Sequence, residues 1–147
     1  MSDKSPTPSE AATSAWIHIM RASDRLLAAI EIDFKAAKMP TLSWYDVLWE
    51  LARAKGGRLR PYEIEERTLL AQYNLSRLVD RLEREGLVHR ETFDEDARGR
   101  WVVITDAGLQ LRERMWAVYA RSIETHIGCK LAETEANTIT ALLARFL

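Results

Sequence analysis

Hydrogen-bonding side chains are concentrated at the start of one predicted helix, in the stretch QYNLSRLVDRLEREGLVHRE. Its first turns present five polar residues: Gln72, Tyr73, Asn74, Ser76 and Arg77. Carboxamide groups pair with the edge of adenine, guanidinium groups pair with that of guanine, and a helix N-terminus attracts phosphate. These side chains are therefore suited to contacting a nucleic acid, although the same types also occur on helices that only face water.

Helical periodicity separates this polar set from an apolar stripe. At about 100° per residue, one side of the helix carries Leu75, Leu78, Val79 and Leu82. Away from the stripe lie the three arginines of the helix: Arg77, Arg81 and Arg84. Because acidic residues stand beside them, an alternative is that the arginines only form ion pairs along the helix. Between residues 60 and 100 there are eight arginines and ten acidic residues, so phosphate binding requires the two kinds to lie on different faces.

A β-hairpin with a charged tip follows this helix. Leu87–Glu91 and Trp101–Ile104 are predicted strands, and the polar stretch DEDARGR lies between them. The tip places Arg98 and Arg100 around a glycine. A slender ribbon with arginine at its tip fits the minor groove of DNA, whereas the alternative is a charged turn that only promotes solubility.

Helices surround these two motifs. The pattern predicts them over Ala11–Lys38, Ser43–Lys55, Tyr62–Thr68, Gln72–Glu85, Asp106–His126 and from Thr134 to the end. The predicted fold is mainly α with a small β-hairpin wing: a winged helix-turn-helix over residues 42–105, between long helical flanks at 11–38 and 106–147. The flanks are apolar on more than one side, which indicates burial against a partner. Residues 1–10 are polar and are expected to be a disordered leader.

Composition excludes several classes of protein. The chain of 147 residues is long enough for one domain with its own core, and it contains no apolar run of about 18 residues that would span a membrane. The net charge of −1 gives no bulk argument for nucleic acid. Phosphate-loop and hydrolase motifs are missing, and the three histidines have no evident nucleophile partner. We therefore expect no enzyme, no catalytic residues, no cofactor and no metal site.

The middle of the chain resembles the MarR family of bacterial transcription regulators. The similarity is carried by LSWYDVLWELA, by LxPxEIxER from Leu59, by SRLVDRLEREGLVxR from Ser76, and by DxRG followed by VxITxxG at the hairpin. Residues 42–108 match closely, whereas the flanking helices match in layout only. The family often has glycine and a capping serine before the recognition helix, where this chain has Leu69 and Ala71. Alanine is a poor cap, so the sequence departs from the family pattern at the start of that helix.

The resemblance implies a cytoplasmic homodimer that binds a pseudo-palindromic operator in double-stranded DNA. Two recognition helices would enter successive major grooves while the wings reach the minor grooves. The implied DNA contacts are Gln72, Tyr73, Asn74, Ser76, Arg77 and Arg81 on the helix, and Arg98 and Arg100 on the wing, with Asp96 orienting Arg98. Repression is the usual mode of the family.

The family commonly responds to small aromatic or phenolic acids. The candidate ligand residues here are Trp16, His18, Met20, Tyr45, Trp49 and Arg112. Aromatic residues at helical spacing are more often core, so packing is the alternative role for each of them. Two other functions remain open: a redox-sensing regulator based on Cys129, the single cysteine, and a winged helix used only for contacts between proteins. The pair His126 and Cys129 provides too few ligands for a structural zinc site.

Overall fold

The computed structural model describes residues 5–70, 72–93 and 96–147, with side chains described for all of these except 72, 73, 93 and 96–99. In chain order the elements are α1 (Glu10–Ala36), α2 (Leu42–Arg53), β1 (Arg58–Leu59), α3 (Pro61–Arg67), α4 (Gln72–Arg84), β2 (Val88–Phe93), β3 (Asp96–Ile104), α5 (Asp106–His126) and α6 (Glu133–Leu143). Short 3₁₀ turns lie at Lys55–Gly57, Gly128–Lys130 and Ala144–Phe146. The prediction of a mainly helical chain with a small hairpin wing is confirmed.

Local capping explains where the long helices begin. Ser9 caps α1, because its hydroxyl accepts a hydrogen bond from the Ala12 N–H (3.0 Å). Residues 5–9 form neither helix nor strand, and Glu10, predicted to end the leader, is already in α1. Residues 1–4 lie outside the described residues. Thr105 caps α5 by accepting from the Gly108 N–H (3.1 Å), as its sequence predicts. Pro61 is the first residue of α3, where its missing N–H costs nothing.

The sheet has three strands rather than the two that were predicted. Its antiparallel order is β1-β3-β2, and β1 consists only of Arg58 and Leu59, opposite Val103 and Val102. The added strand follows Gly56 and Gly57, both of which adopt positive φ. β2 and β3 are also longer than predicted, since their pairing continues to Phe93 and Asp96 past an irregularity after Thr92.

One hydrophobic core joins the middle of the chain to the second half of α1 and to α5. Side chains such as Leu48 of α2, Ile64 of α3, Leu82 of α4, Val102 of β3 and Met115 of α5 are fully buried. By contrast, large apolar side chains on the first half of α1 and on α6 are exposed in the single chain. Among the described residues, no helix is long and apolar enough to cross a membrane.

The start of α5 lies against the turn between α4 and β2. The Thr105 hydroxyl donates to the Gly86 carbonyl (2.7 Å), and the Thr105 N–H donates to the Leu87 carbonyl (3.0 Å). Gly108, one turn into α5, is buried so closely against the Leu87 carbonyl and Ile104 that a Cβ atom has no room. The glycine of the VxITxxG motif therefore permits a close backbone approach between α5 and the wing.

Candidate nucleic-acid interface

Helix α4 presents a polar face above a buried apolar stripe. Leu75, Val79 and Leu82 are buried and Leu78 is half-buried, which confirms the predicted stripe. The exposed side chains on the rest of the helix include Asn74, Ser76, Arg77, Arg81 and Arg84. Gln72 and Tyr73 form the first turn of α4, but their side chains and residue Ala71 are outside what the structure describes. The start of the helix at Gln72 agrees with the sequence prediction.

The acidic residues of α4 are engaged by the neighbouring strand. Arg90 of β2 contacts Asp80 through Nη2 (2.6 Å) and Glu83 through Nη1 (2.9 Å). The Arg90 N–H also donates to the second carboxylate oxygen of Glu83 (3.0 Å). These three hydrogen bonds, which we call the Arg90 clasp, join the base of the wing to α4. The clasp was not predicted, although its arginine is the last residue of the SRLVDRLEREGLVxR motif.

Arg81 is exposed but also contacts the ring of Trp44. Its guanidinium carbon lies 5.6 Å from the centre of the Trp44 ring on α2. This distance is within the range of a cation–π contact, which is worth about 0.5–1 kcal/mol at an exposed site. The contact orders the Arg81 side chain along the flank of α4, where the sequence placed it.

The wing lies beside α4 as the hairpin pattern predicts. Arg100 is exposed on β3, opposite Thr92 of β2. Arg98 belongs to β3, but its side chain and that of Asp96 are outside the described part, as are residues 94 and 95 altogether. The predicted contact between Asp96 and Arg98 therefore stays a prediction.

The candidate ligand residues fall into two groups. Tyr45 is buried in an aromatic cluster with Phe34, Trp116 and Tyr119, where the Tyr45 and Tyr119 rings meet edge to face at 5.1 Å between centroids. Arg112 of α5 hydrogen-bonds to Tyr45. Burial raises the pKa of the Tyr45 hydroxyl, while Arg112 opposes the shift. Among the described residues, the buried Nε of Arg112 has no hydrogen-bond partner.

The remaining candidates lie elsewhere on the single chain. Trp16, His18 and Met20 are on the exposed first half of α1, where His18 Nδ1 hydrogen-bonds to the Ser14 carbonyl (2.8 Å). Trp49 is partly exposed, with the Arg53 guanidinium 5.0 Å from its ring centre. Of the predicted set, Tyr45 and Arg112 are in contact. The sequence did not single out Trp116 or Tyr119, since aromatic residues on α5 are typical of packing.

The residues near Cys129 contact one another rather than form a metal centre. Asp33 of α1 accepts hydrogen bonds from the Ser122 hydroxyl (2.6 Å) and from His126 Nε2 (2.8 Å). These two bonds, Ser122 first, hold the pKa of the Asp33 carboxyl below its usual value. The exposed Cys129 thiol donates to the Thr125 carbonyl (3.0 Å). In the described ranges no three His, Cys, Asp or Glu side chains are placed to hold a metal ion.

Asp46 of α2 is a titratable group that sequence patterns did not reveal. Burial, together with the nearby Glu31 and Glu50 carboxylates, raises the pKa of its carboxyl from 3.8 to about 6. Glu31 itself is fixed, because it accepts the Leu42 N–H at the start of α2 (2.9 Å). The folded state therefore binds this proton more tightly than the unfolded chain does.

We expect Asp46→Asn to stabilise the protein near neutral pH. With a raised folded-state pKa, the carboxyl lowers stability as pH rises from about 4 to about 6, and the loss persists above that range. Because the side chain keeps some solvent contact, the gain should be about 1 kcal/mol at about pH 7.5 and near zero at about pH 4. Urea unfolding at the two pH values measures it, with the exposed Asp24→Asn as control. An equal effect of Asp46→Asn at both values would contradict the assignment.

Comparison with known proteins agrees with this geometry. The family model MarR_2, described as MarR family, matches residues 40–99. No curated protein sequence matches the chain. AbsC, a MarR family transcriptional regulator from Streptomyces coelicolor, has a similar structure, with 23% identity, a TM-score of 0.84, and coverage of 97% of this chain and 95% of that one.

Two further solved structures are similar over almost the whole chain. A MarR family regulator from Streptomyces coelicolor in complex with DNA has 21% identity and a TM-score of 0.87, and the match covers 98% of this chain and 90% of that one. BpsR from Bordetella bronchiseptica, whose DNA binding is regulated by 6-hydroxynicotinic acid, has 21% identity and a TM-score of 0.81, with coverage of 95% and 97%. At such identities the structural likeness establishes the fold.

Proposed function

Residues 40–99 belong to the MarR family and the whole chain has the fold of its transcriptional regulators, and from this premise we propose that the protein is a sequence-specific, homodimeric DNA-binding repressor. The observation that supports this most directly is the arrangement of α4. Its polar side chains are exposed above a buried stripe, and the Arg90 clasp holds the wing beside them. A helix so placed can enter the major groove while the wing follows the backbone to the minor groove.

Each part of this surface has its own role in the proposal. Asn74, Ser76 and Arg77, with Gln72 and Tyr73 before them, contact base edges and phosphates in the major groove. Arg81, ordered on Trp44, contacts the backbone at the flank of the helix. Arg98 and Arg100 act in the minor groove.

Exposed apolar residues support the homodimer. In the single chain, the large apolar side chains left exposed on α1, α6 and the C-terminal turn include Trp16, Met20, Leu27, Ile139, Leu142 and Phe146. Apolar patches of this extent on a soluble protein mark an interaction surface. A second copy of the chain would bury both sets and fix the distance between the two recognition helices.

The proposed effector is a small aromatic acid bound next to Tyr45 and Arg112. The unpartnered Nε of Arg112 is a donor for a carboxylate or phenolate, and the rings of Trp116 and Tyr119 provide an apolar wall. Binding there would shift α5 against α2 and weaken DNA binding. A coupling of about 1–3 kcal/mol is typical between two such sites.

Fluorescence anisotropy tests the function. The titration uses duplex DNA from upstream of the protein's own gene, with scrambled DNA as reference, at two salt concentrations. Selective binding that weakens with salt is expected, because neutralised phosphates release counterions. Arg77→Ala should lower operator affinity by about 10–100-fold, since a bidentate base contact contributes about 1–3 kcal/mol. The exposed Arg114→Ala on α5 is the matched control.

The same titration tests the effector and the competing functions. Salicylate should weaken operator binding by the protein. This release from DNA should not require oxidation of Cys129. Equal, weak binding to both DNAs, unchanged in Arg77→Ala, would refute the regulator and favour a module for contacts between proteins.

A further inference from the structure

A polar contact joins the C-terminal ends of α1 and α5. The Oδ2 atom of Asp33 accepts hydrogen bonds from the Ser122 hydroxyl (2.6 Å) and from His126 Nε2 (2.8 Å). Ser122 and His126 lie 89 and 93 positions after Asp33 in the chain, so only the fold brings the three side chains together. We call this set of three residues the Asp33 latch.

The latch combines a buried donor with an acceptor that water can reach. Ser122 is only 3% exposed, whereas the side chains of His126 and Asp33 are 24% and 38% exposed. Because the two hydrogen bonds, Ser122 first, lower the pKa of the Asp33 carboxyl, this group is an anion near neutral pH and can only accept hydrogen bonds. If the bonds break, the carboxylate returns to water instead of remaining as an unpaired buried charge. The contact can therefore open and close.

The geometry of the latch selects one register of α5 against α1. Ser122 and His126 are four positions apart, so both donors project from the same side of α5 toward one oxygen atom. A slide of α5 by half a helical turn, about 2.7 Å, would stretch both bonds beyond about 3.2 Å and break them. The buried apolar residues of the two helices, such as Ile30 and Val118, make non-directional contacts and specify the register less sharply.

The latch lies next to the aromatic cluster in which the effector is proposed to bind. Phe34, the residue after Asp33, has its ring centroid 5.7 Å from that of Tyr119. Tyr119 lies about one helical turn before Ser122 on α5 and contacts the ring of Tyr45 on α2. A movement of α5 that starts at this cluster therefore has to stretch or break the latch.

We propose that the Asp33 latch holds α5 against α1 in the arrangement that gives the two recognition helices of the dimer their operator spacing. The proposal rests on the proposed homodimeric, DNA-binding function. It assigns to Asp33, Ser122 and His126 a positioning role, since all three lie on the flanking helices and outside the polar face of α4. A latch of this kind favours one spacing without locking it, because its acceptor is half-exposed.

Spin labels on the recognition helices measure the spacing that the latch is proposed to set. Arg84 of α4 is exposed, so Arg84→Cys in a Cys129→Ser background places one label on each chain. Double electron–electron resonance then gives the distance between the two labels of the dimer. With the latch intact, the distance distribution should be narrow and have a single maximum.

The variant S122A/H126L removes both donors and leaves the Asp33 carboxylate in water. It should broaden the distance distribution and, without labels, lower operator affinity on the order of fivefold, because the apparent Kd rises as the fraction of molecules with the correct spacing falls. Asp33→Asn keeps the shape of the acceptor but removes its charge, so its effect should be smaller and in the same direction. The matched control R121A/T125A removes two exposed polar side chains with the same spacing on α5 and should change neither measurement.

The outcomes separate the latch from the function on which it rests. An unchanged distance distribution in S122A/H126L, or equal broadening in R121A/T125A, would overturn the latch alone. Tighter operator binding by S122A/H126L would also overturn it, since the latch would then hold a spacing that does not fit the operator. No measurable distance between labels, or no selective operator binding by the unmodified protein, would instead refute the proposed homodimeric regulator.

Discussion

Replacing Arg90 by methionine should reduce operator affinity by about 10–100-fold while the protein remains folded. The substitution removes the clasp between β2 and α4, so the wing is no longer held at one angle to the recognition helix. It also leaves the Asp80 and Glu83 carboxylates uncompensated near the DNA phosphates, which repel them. Because all three side chains are partly exposed, the loss in folding stability should be only about 1 kcal/mol.

Two additional variants separate orientation from charge in this prediction. Arg90→Lys keeps the charge but cannot bond both carboxylates with a planar guanidinium group. The operator affinity of this variant should therefore lie between that of the unmodified protein and that of Arg90→Met. Adding Asp80→Asn to Arg90→Met removes one repelling carboxylate and should recover part of the affinity. Anisotropy gives the affinities, and circular dichroism checks the fold. If Arg90→Met bound the operator as the unmodified protein does, the clasp would have no role in DNA binding.

The second large effect is expected at Gly108. Valine at this position places side-chain atoms against the Leu87 carbonyl and Ile104, and backbone on one side cannot move aside cheaply. Three hydrogen bonds made by Thr105 and Gly108 at the start of α5 depend on the same close approach. Gly108→Val should therefore cost about 3 kcal/mol or more, a large part of the stability of an ordinary domain.

Denaturant unfolding of Gly108→Val measures this loss, and Ala107→Val is its control. Ala107 is the preceding residue of the same helical turn but is exposed, so valine there should cost less than about 1 kcal/mol. Equal stabilities of the two variants would show that the approach of α5 to Leu87 does not require glycine.

Sequence patterns predicted the features that depend on near neighbours in the chain. The apolar stripe of α4, the cap at Thr105 and the hairpin after Gly86 all follow from residues within a few positions of one another. The boundaries differed by a few residues where tertiary contacts extend or shorten an element. β1 escaped prediction because two residues carry no period, and its pairing with Val102 and Val103 is distant in sequence.

The parts of the site that patterns could not reveal depend on contacts across elements. The acidic residues beside the arginines of α4 are consistent with ion pairs along the helix. In the structure, however, Asp80 and Glu83 form ion pairs with Arg90 of β2. Only the fold shows that Asp46 is desolvated and that Arg58 and Arg60 stack on Trp101. The ligand candidates on α1 were grouped with Tyr45 through the family resemblance, whereas in the single chain they are exposed and Tyr45 is buried.

The bonds between Thr105 and the turn at Gly86 make α5 a lever with its pivot at the DNA-binding lobe. The helix has 21 residues, so it is about 31 Å long, and a swing of about 5° moves its far end by about 3 Å. Conversely, a displacement of about 3 Å imposed at the far end of α5 rotates the DNA-binding lobe by the same small angle. Only a short turn joins α4 to this pivot. A small sliding of the flanking helices therefore changes the orientation of α4.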